Sequence, residues 1–179
     1  MNFSTKKIVY MAFLIALSIV LTRMFSIRIP LYGVEGIRIG FGGLPIILAG
    51  IFLGPLAGGI VGATADLLGF WVNPIGAYMP HFTMTAFLTG FIPGFLFYYA
   101  FQQEKSYTAL ISAVGIGQIT TSIIMVPYFI HTLFGAPYAP ILIPRLIEQP
   151  ISIVLYVLII HKVLDYDLID IPQKIKSTV

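Results

Sequence analysis

The sequence contains no cysteine and very little charge. Without cysteine there can be no disulfide, no thiolate nucleophile and no cysteine-ligated metal. Charged residues make up 9% of the chain, against about 25% in soluble proteins, whereas hydrophobic residues make up 58%. Too few polar residues remain to cover a water-soluble domain of 179 residues. The composition therefore indicates an integral membrane protein with essentially no soluble domain.

Motifs typical of enzymes and nucleotide-binding proteins are also missing. The sequence has no GxxxxGKS/T phosphate loop, no HExxH and no GxSxG. Its three histidines, His81, His131 and His161, are far apart and fall at the ends of apolar runs or in loops. Basic residues do not cluster with aromatics on one face, as a nucleic-acid groove requires. We therefore expect no catalysis by this chain, no cofactor, no metal and no nucleic-acid partner.

Six apolar runs predict an all-α membrane protein. A transmembrane helix needs about 20 apolar residues. The runs cover residues 8–24, 37–53, 56–70, 81–101, 107–130 and 142–161. No small-residue cleavage site follows the first run, which favours a retained helix over a signal peptide. We expect one domain over residues 1–179, a compact bundle of six transmembrane helices joined on one side by loops 22–36, 71–80 and 131–141.

The basic residues divide by type between the two sides of this bundle. One side carries every lysine: Lys6, Lys7, Lys105, Lys162, Lys174 and Lys176. The arginines lie toward the other side: Arg23, Arg28, Arg38 and Arg145. By the positive-inside rule the lysines mark the cytoplasm, which places both termini there. Arg23 ends the first run, where its side chain can reach lipid headgroups.

The other arginines favour a bound anion. Arg38 and Arg145 each begin a span, on the same side as Asp66 and Glu148, while Arg28 lies in a loop. Charged groups inside a membrane are tolerated when they pair with one another or face a polar cavity. Two interpretations follow, and they are compatible. The charges hold helices together as ion pairs, or a ligand completes the network, its carboxylates gripped by arginine.

The candidate ligand-binding residues share the side of the arginines or a polar position within a span. They are Arg28, Arg38, Asp66, Trp71, Asn73, His81, Gln118, Arg145, Glu148 and Gln149. Trp71 is the only tryptophan and is followed closely by Asn73, although membrane interfaces also enrich tryptophan. An interhelical hydrogen bond would equally explain Gln118.

Small residues recur at helical spacing in two places. One series crosses from the second run into the third: Gly50, Gly54, Gly58 and Gly62. Ala12 and Ala16 form a second pair in the first run. Small residues at a spacing of four let membrane helices approach closely. We therefore expect the glycines to pack helices together, and the alanines to offer a smooth surface to a partner helix.

The run RIGFGGLPIILAGIFLGPLAGGIVGATADLLGF, residues 38–70, resembles the S components of energy-coupling factor (ECF) vitamin transporters, and among them the folate-specific subfamily. The Ala12 and Ala16 pair is similar to the signature by which S components dock on the shared transmembrane coupling subunit. The resemblance implies a folate site that opens outward, lined by helices 4 to 6 and roofed by loops 1 and 3. It also implies a bacterial plasma-membrane complex with the coupling subunit and two ATPases, and transport by toppling of the S component.

Three alternatives remain open at this point. S components for pantothenate or a queuosine precursor resemble the folate-specific ones. A structural membrane protein would use the charge network only to pair helices. A membrane enzyme acting on a lipid or anionic substrate is the third, and the sequence offers no residues for its chemistry.

Overall fold

The computed structural model describes residues 4–24, 26–31, 34–74 and 78–166, and of residues 27–31 and 34–39 it describes the backbone alone. The elements are α1 (Thr5–Arg23), β1 (Ile27–Leu31), β2 (Val34–Ile39), α2 (Gly43–Leu53), α3 (Pro55–Val72), α4 (Pro80–Ala100), α5 (Tyr107–Phe134) and α6 (Tyr138–Asp165). In this part of the chain, five helices are long and apolar enough to cross a membrane, and α2 is a shorter apolar helix. The predicted helical membrane fold is thereby confirmed.

The second predicted span starts too early. Residues 34–39 form strand β2, which pairs antiparallel with β1, and α2 begins only at Gly43. Three of the six residues 34–39 are β-branched, Val34, Ile37 and Ile39, a residue type that favours strands. Glycines at positions 40, 42 and 43 then disfavour helix. The remaining 11 residues of α2 span about 16 Å, roughly half the hydrocarbon core of a bilayer.

The β1–β2 hairpin carries two of the predicted site arginines. Arg28 pairs with Arg38 in the backbone register, and an irregularity follows between Ile29 and Pro30. The side chains of both arginines lie outside the described residues. Arg38 thus belongs to a strand rather than to the start of a membrane span, and the hairpin is the one departure from all-helical structure among the elements described here.

The glycine repeat lies where α2, α3 and α4 pack most closely. A Cβ atom on Gly50 would collide with the carbonyl oxygen of Gly90, and one on Gly62 would collide with the α4 backbone. At Gly58 it would lie 2.5 Å from the Cα of Gly50. The predicted close approach is confirmed for these three glycines. Gly54 has a different role: with φ 99° it forms the turn between α2 and α3.

Two of the predicted loops are shorter than expected. Helix α3 continues through Val72, so the connection to α4 spans residues 73–79 instead of 71–80. Helix α5 reaches residue 134, where Gly135 ends it in the left-handed conformation with φ 65°, and only residues 135–137 precede α6. Pro144 and Pro150 lie inside α6 without ending it.

The described lysines and arginines lie at opposite ends of the bundle, as predicted. Lys7 lies in the first turn of α1, and Lys105 in the α4–α5 turn donates to the carbonyl oxygen of Leu164 near the end of α6, at 3.3 Å. Arg23 ends α1, and Arg145 lies in the first half of α6. The arginine-bearing parts of α1 and α6 therefore lie away from the lysine end of the bundle.

Helix α2 lies at the centre of the packing. Its side chains at Ile47, Ala49 and Ile51 have no exposed surface. The turn that precedes it is held against α1, because Ser18 Oγ donates to the carbonyl oxygen of Gly42 at 2.8 Å. The first turn of α2 is thereby fixed at the arginine end of the bundle, beside α5 and α6.

Candidate ligand-binding cavity

A cavity opens among the helices at the arginine end of the bundle. The cavity has a volume of about 160 Å³, whereas one water needs roughly 10–15 Å³. Its polar lining residues are Arg23, Asp66, Thr85, Thr89, Gln118, Ser122, Arg145, Glu148 and Gln149. Its aromatic lining residues are Phe70, Tyr78, Phe82 and Tyr156. The cavity has room and chemistry for a small molecule with both charged and aromatic parts.

Helix α6 supplies an acidic wall whose hydrogen bonds are well defined. Glu148 accepts from Gln149 Nε2 at 2.7 Å and from Ser152 Oγ at 2.6 Å, one bond to each carboxylate oxygen. Gln149 is 7% exposed. Its Oε1 is buried and accepts no hydrogen bond from the described part of the chain. An unpaired buried acceptor is costly, so this atom is a natural partner for a donor on a ligand.

The backbone of α5 orients Arg145. In its π-helical stretch, Ile119–Met125, the N–H of Val126 donates to the carbonyl oxygen of Thr121, five residues earlier. At the same spacing, the Ser122 carbonyl oxygen would accept from the backbone N–H of residue 127. Residue 127 is proline, which has no N–H. The Ser122 carbonyl oxygen accepts instead from Arg145 Nη1, at 3.4 Å. Pro127 of α5 therefore leaves the Ser122 carbonyl oxygen available to position Arg145 of α6.

Helices α3 and α4 supply the opposite wall. Asp66 Oδ2 accepts from Thr83 Oγ1 at 2.7 Å, and the hydroxyl of Tyr78 lies 2.9 Å from the same Thr83 oxygen. Tyr78 also meets Phe70 edge to face, with ring centroids 5.4 Å apart. A carboxylate and two aromatic rings are thus held together on this side of the cavity.

The start of α2 closes one end of the cavity. Gly43, in the first turn of α2, presents its Cα to Gln118 and Tyr156: an added Cβ would lie 3.5 Å from Gln118 Nε2 and from the Tyr156 hydroxyl. That hydroxyl donates to the carbonyl oxygen of Gly40 at 3.1 Å. Gln118 Oε1 accepts from Ser122 Oγ at 2.9 Å.

Residues 2–166 match the model of the family described as the ECF-type riboflavin transporter, S component. The chain belongs to this family. It is 38% identical to the folate transporter FolT of Clostridium novyi (strain NT), over 86% of this chain and 84% of that protein. The resemblance drawn from residues 38–70 is therefore confirmed.

Solved structures agree with this assignment. A crystal structure of FolT bound with folic acid is similar with a TM-score of 0.76 at 30% identity, and the match covers 89% of this chain and 95% of that one. A structure of the S component for biotin from an ECF-type ABC transporter has a TM-score of 0.69 at 20% identity, covering 92% and 95% of the two chains, and shows the shared fold. Because these related proteins are named for riboflavin, folate and biotin, the ligand of this S component has to be inferred from its site.

The structure brings half of the predicted site residues of this S component together. Asp66, Gln118, Arg145, Glu148 and Gln149 all line the cavity. Polar side chains in apolar spans were the signal that identified them, since lipid exposure of such groups is costly.

Three predicted site residues lie outside the cavity. Trp71 is 82% exposed on the last turn of α3. Asn73 is not a lining residue, and its carbonyl oxygen accepts from Arg23 Nη1 at 3.0 Å. His81 packs against Phe129 with ring centroids 5.0 Å apart. We therefore leave these three side chains out of the proposed site.

Arg23 was not among the predicted site residues and was expected only to reach lipid headgroups. It lines the cavity, and its guanidinium lies against Gly69 of α3, where an added Cβ would be 2.9 Å from Arg23 Nε. Thr83 and Tyr156 were also missed. Thr83 contacts the cavity lining through its hydrogen bond to Asp66. The Tyr156 hydroxyl donates to the carbonyl oxygen of Gly40, 116 positions away in the sequence. Contacts of this kind depend on the tertiary fold and leave no local pattern.

The alanine pair lies on the outer surface of α1. Ala12 and Ala16 are exposed, together with Val9 and Phe13, whose exposed fractions are 62% and 63%. This face is apolar and small-residue-rich, as the predicted docking surface requires, and it lies on the side of α1 away from the buried Met11 and Leu14.

Proposed function

We propose that this S component binds folate in the cavity at the arginine end of the bundle. One observation carries the proposal: two arginines, Arg23 and Arg145, line the same cavity as the buried, unpaired Gln149 Oε1. The site thus offers cations for an anionic group and an acceptor for an N–H donor. The FolT relatives support folate as the molecule that meets both requirements.

The chemistry of folate suits the cavity lining. Its glutamate part carries two carboxylates, which arginine binds with charge-assisted and often bidentate hydrogen bonds. Its pterin ring presents N–H donors, for which Gln149 Oε1 is a buried acceptor. Phe70, Tyr78 and Phe82 supply aromatic surface for the rings between these ends. Riboflavin and biotin differ here, since riboflavin has no carboxylate and biotin has no aromatic ring.

The finer mechanism follows the family. We place the bundle in the plasma membrane of a bacterium, with the five long helices crossing it and with both termini and the lysine end in the cytoplasm, so that the cavity faces outward. A coupling subunit docks on the Ala12 and Ala16 face, and two ATPase subunits supply the energy from ATP for import. The S component delivers folate by reorienting in the membrane and itself catalyses no reaction.

The test is titration of the purified chain with folic acid, without ATP, by isothermal calorimetry. Replacing Arg145 with Met removes a cation from the cavity and is expected to weaken binding by about tenfold or more, because hydrogen bonds to charged groups are worth about 1.5–3 kcal/mol. Lys162→Met is the matched control. Lys162 is exposed near the other end of α6, and its loss should change the affinity by less than about twofold.

Several outcomes separate the alternatives. If R23M and R145M both bind folic acid as tightly as the unsubstituted chain, the anion site is refuted. If folic acid fails to bind while pantothenate or a queuosine precursor does, the chain is an S component for that ligand. If none binds and Asp66→Asn simply lowers thermal stability, the charge network is structural.

A further inference from the structure

Thr83 links a cavity carboxylate to an aromatic ring at the cavity edge, although it does not itself line the cavity. It lies in the first turns of α4 and is partly buried. Its Oγ1 is 2.7 Å from Asp66 Oδ2 on α3 and 2.9 Å from the Tyr78 hydroxyl. Both of those neighbours line the cavity. Thr83 is thus the shared partner of two lining side chains.

The direction of these hydrogen bonds follows from the donors available. An ionised carboxylate only accepts, so the single hydroxyl hydrogen of Thr83 goes to Asp66. The oxygen of Thr83 can then only accept from Tyr78, whose hydroxyl is the donor. The chain therefore runs one way, from Tyr78 through Thr83 to Asp66. Reversing either bond would leave a carboxylate oxygen facing another acceptor.

We propose that Thr83 is a positioning residue for ligand binding. It holds Asp66 by one oxygen, Oδ2, and so sets the direction of the other oxygen, while it keeps the Tyr78 ring against Phe70 at the cavity edge. The β-branched threonine side chain has few χ1 rotamers, so it can hold both partners at low entropic cost. The proposal rests on the proposed function, since Asp66 acts here as part of the folate site.

The substitutions at Thr83 separate its hydroxyl from its methyl group. Valine has nearly the same shape and no hydroxyl, so T83V releases both Asp66 and Tyr78. Serine keeps the hydroxyl and loses only the methyl. We expect T83V to weaken folic acid binding by about tenfold, the scale of a lost hydrogen bond to a charged group. T83S should stay within about threefold of the unsubstituted protein.

A double-mutant cycle tests whether Thr83 acts through Asp66. If it does, T83V should change the affinity of a D66N protein by less than about twofold, because the group that Thr83 positions is already altered. Calorimetry on full-length chains in one detergent provides all four affinities. Equal losses in T83S and T83V would overturn the proposal, as would an undiminished effect of T83V in D66N.

A ligand-free measurement keeps this inference separate from the identity of the ligand. With tyrosine labelled at ring Cζ, the Tyr78 NMR resonance, assigned by its loss in Y78F, should shift in T83V and return in T83S. An unchanged resonance in T83V would overturn the link between Tyr78 and Thr83. Failure of folic acid to bind the unsubstituted chain would refute the proposed function and with it a role for Thr83 in folate binding, whereas an unchanged NMR resonance in T83V would refute the Tyr78–Thr83 link alone.

Discussion

An alanine at Gly58 tests the close packing that brings the cavity walls together. A Cβ there would lie 2.5 Å from the Cα of Gly50 and 2.7 Å from the carbonyl oxygen of Gly90. Both atoms belong to backbones of neighbouring helices, α2 and α4, and neither can rotate away. The new methyl group can be accommodated only if α3 moves away from its two neighbours.

The expected cost can be worked from two opposing terms. Overpacking a well-packed interior costs about 1–3 kcal/mol, and backbone collisions on two sides favour the upper end. Replacing a helical glycine with alanine gives back about 1 kcal/mol. G58A should therefore be destabilised by about 2 kcal/mol. Gly115 of α5 is the matched control, because a Cβ there would meet no other atom within 4 Å; G115A should be stabilised by about 1 kcal/mol.

Thermal unfolding of the three proteins in one detergent compares these values directly. We expect the apparent Tm of G115A to equal or exceed that of the unsubstituted chain. The apparent Tm of G58A should be clearly lower than that of the unsubstituted chain. Because the helix-propensity term is the same for both substitutions, the difference between them reports the packing alone. A G58A protein that melts as high as G115A would refute the close approach of α2, α3 and α4.

Two further substitutions probe the α5 and α6 walls of the cavity. Ser152→Ala removes the 2.6 Å hydrogen bond to Glu148 and should lower stability by about 1.5–3 kcal/mol; thermal unfolding should show recovery in S152T, and an unchanged Tm in S152A would contradict the bond. Pro127→Ala restores an N–H that can take the Ser122 carbonyl oxygen from Arg145. We expect P127A to bind folic acid about threefold more weakly, and unaltered affinity in calorimetry would argue against that positioning role.

The helices were predictable because apolar length is a strong signal in a membrane protein. The start of α2 was not. Residues 37–53 form one apolar run, and its first residues alternate as a strand does, but the run is long enough to suggest a full span. Only the pairing of β2 with β1 separates strand from helix there, and that pairing links residues up to 12 positions apart, from Ile27 to Ile39.

The cavity shows the same division between local and tertiary information. Asp66 and Glu148 could be predicted because a carboxylate in an apolar span needs a partner. Arg23 could not, since the end of a span also suits an arginine that reaches lipid headgroups. Its place in the cavity depends on α1 ending beside Gly69 and Asn73 of α3, as its contacts there show. The residues next to Arg23 in the sequence do not indicate its contact with α3.

A competition experiment among vitamins tests whether this S component selects folate. Membranes containing the full chain are incubated with equal concentrations of folic acid, riboflavin, biotin and pantothenate, and the protein is then purified in detergent. Mass spectrometry identifies the small molecule that remains bound. We expect folic acid, retained at about one molecule per chain and at a lower occupancy in R145M. Retention of riboflavin, biotin or pantothenate in its place would contradict it.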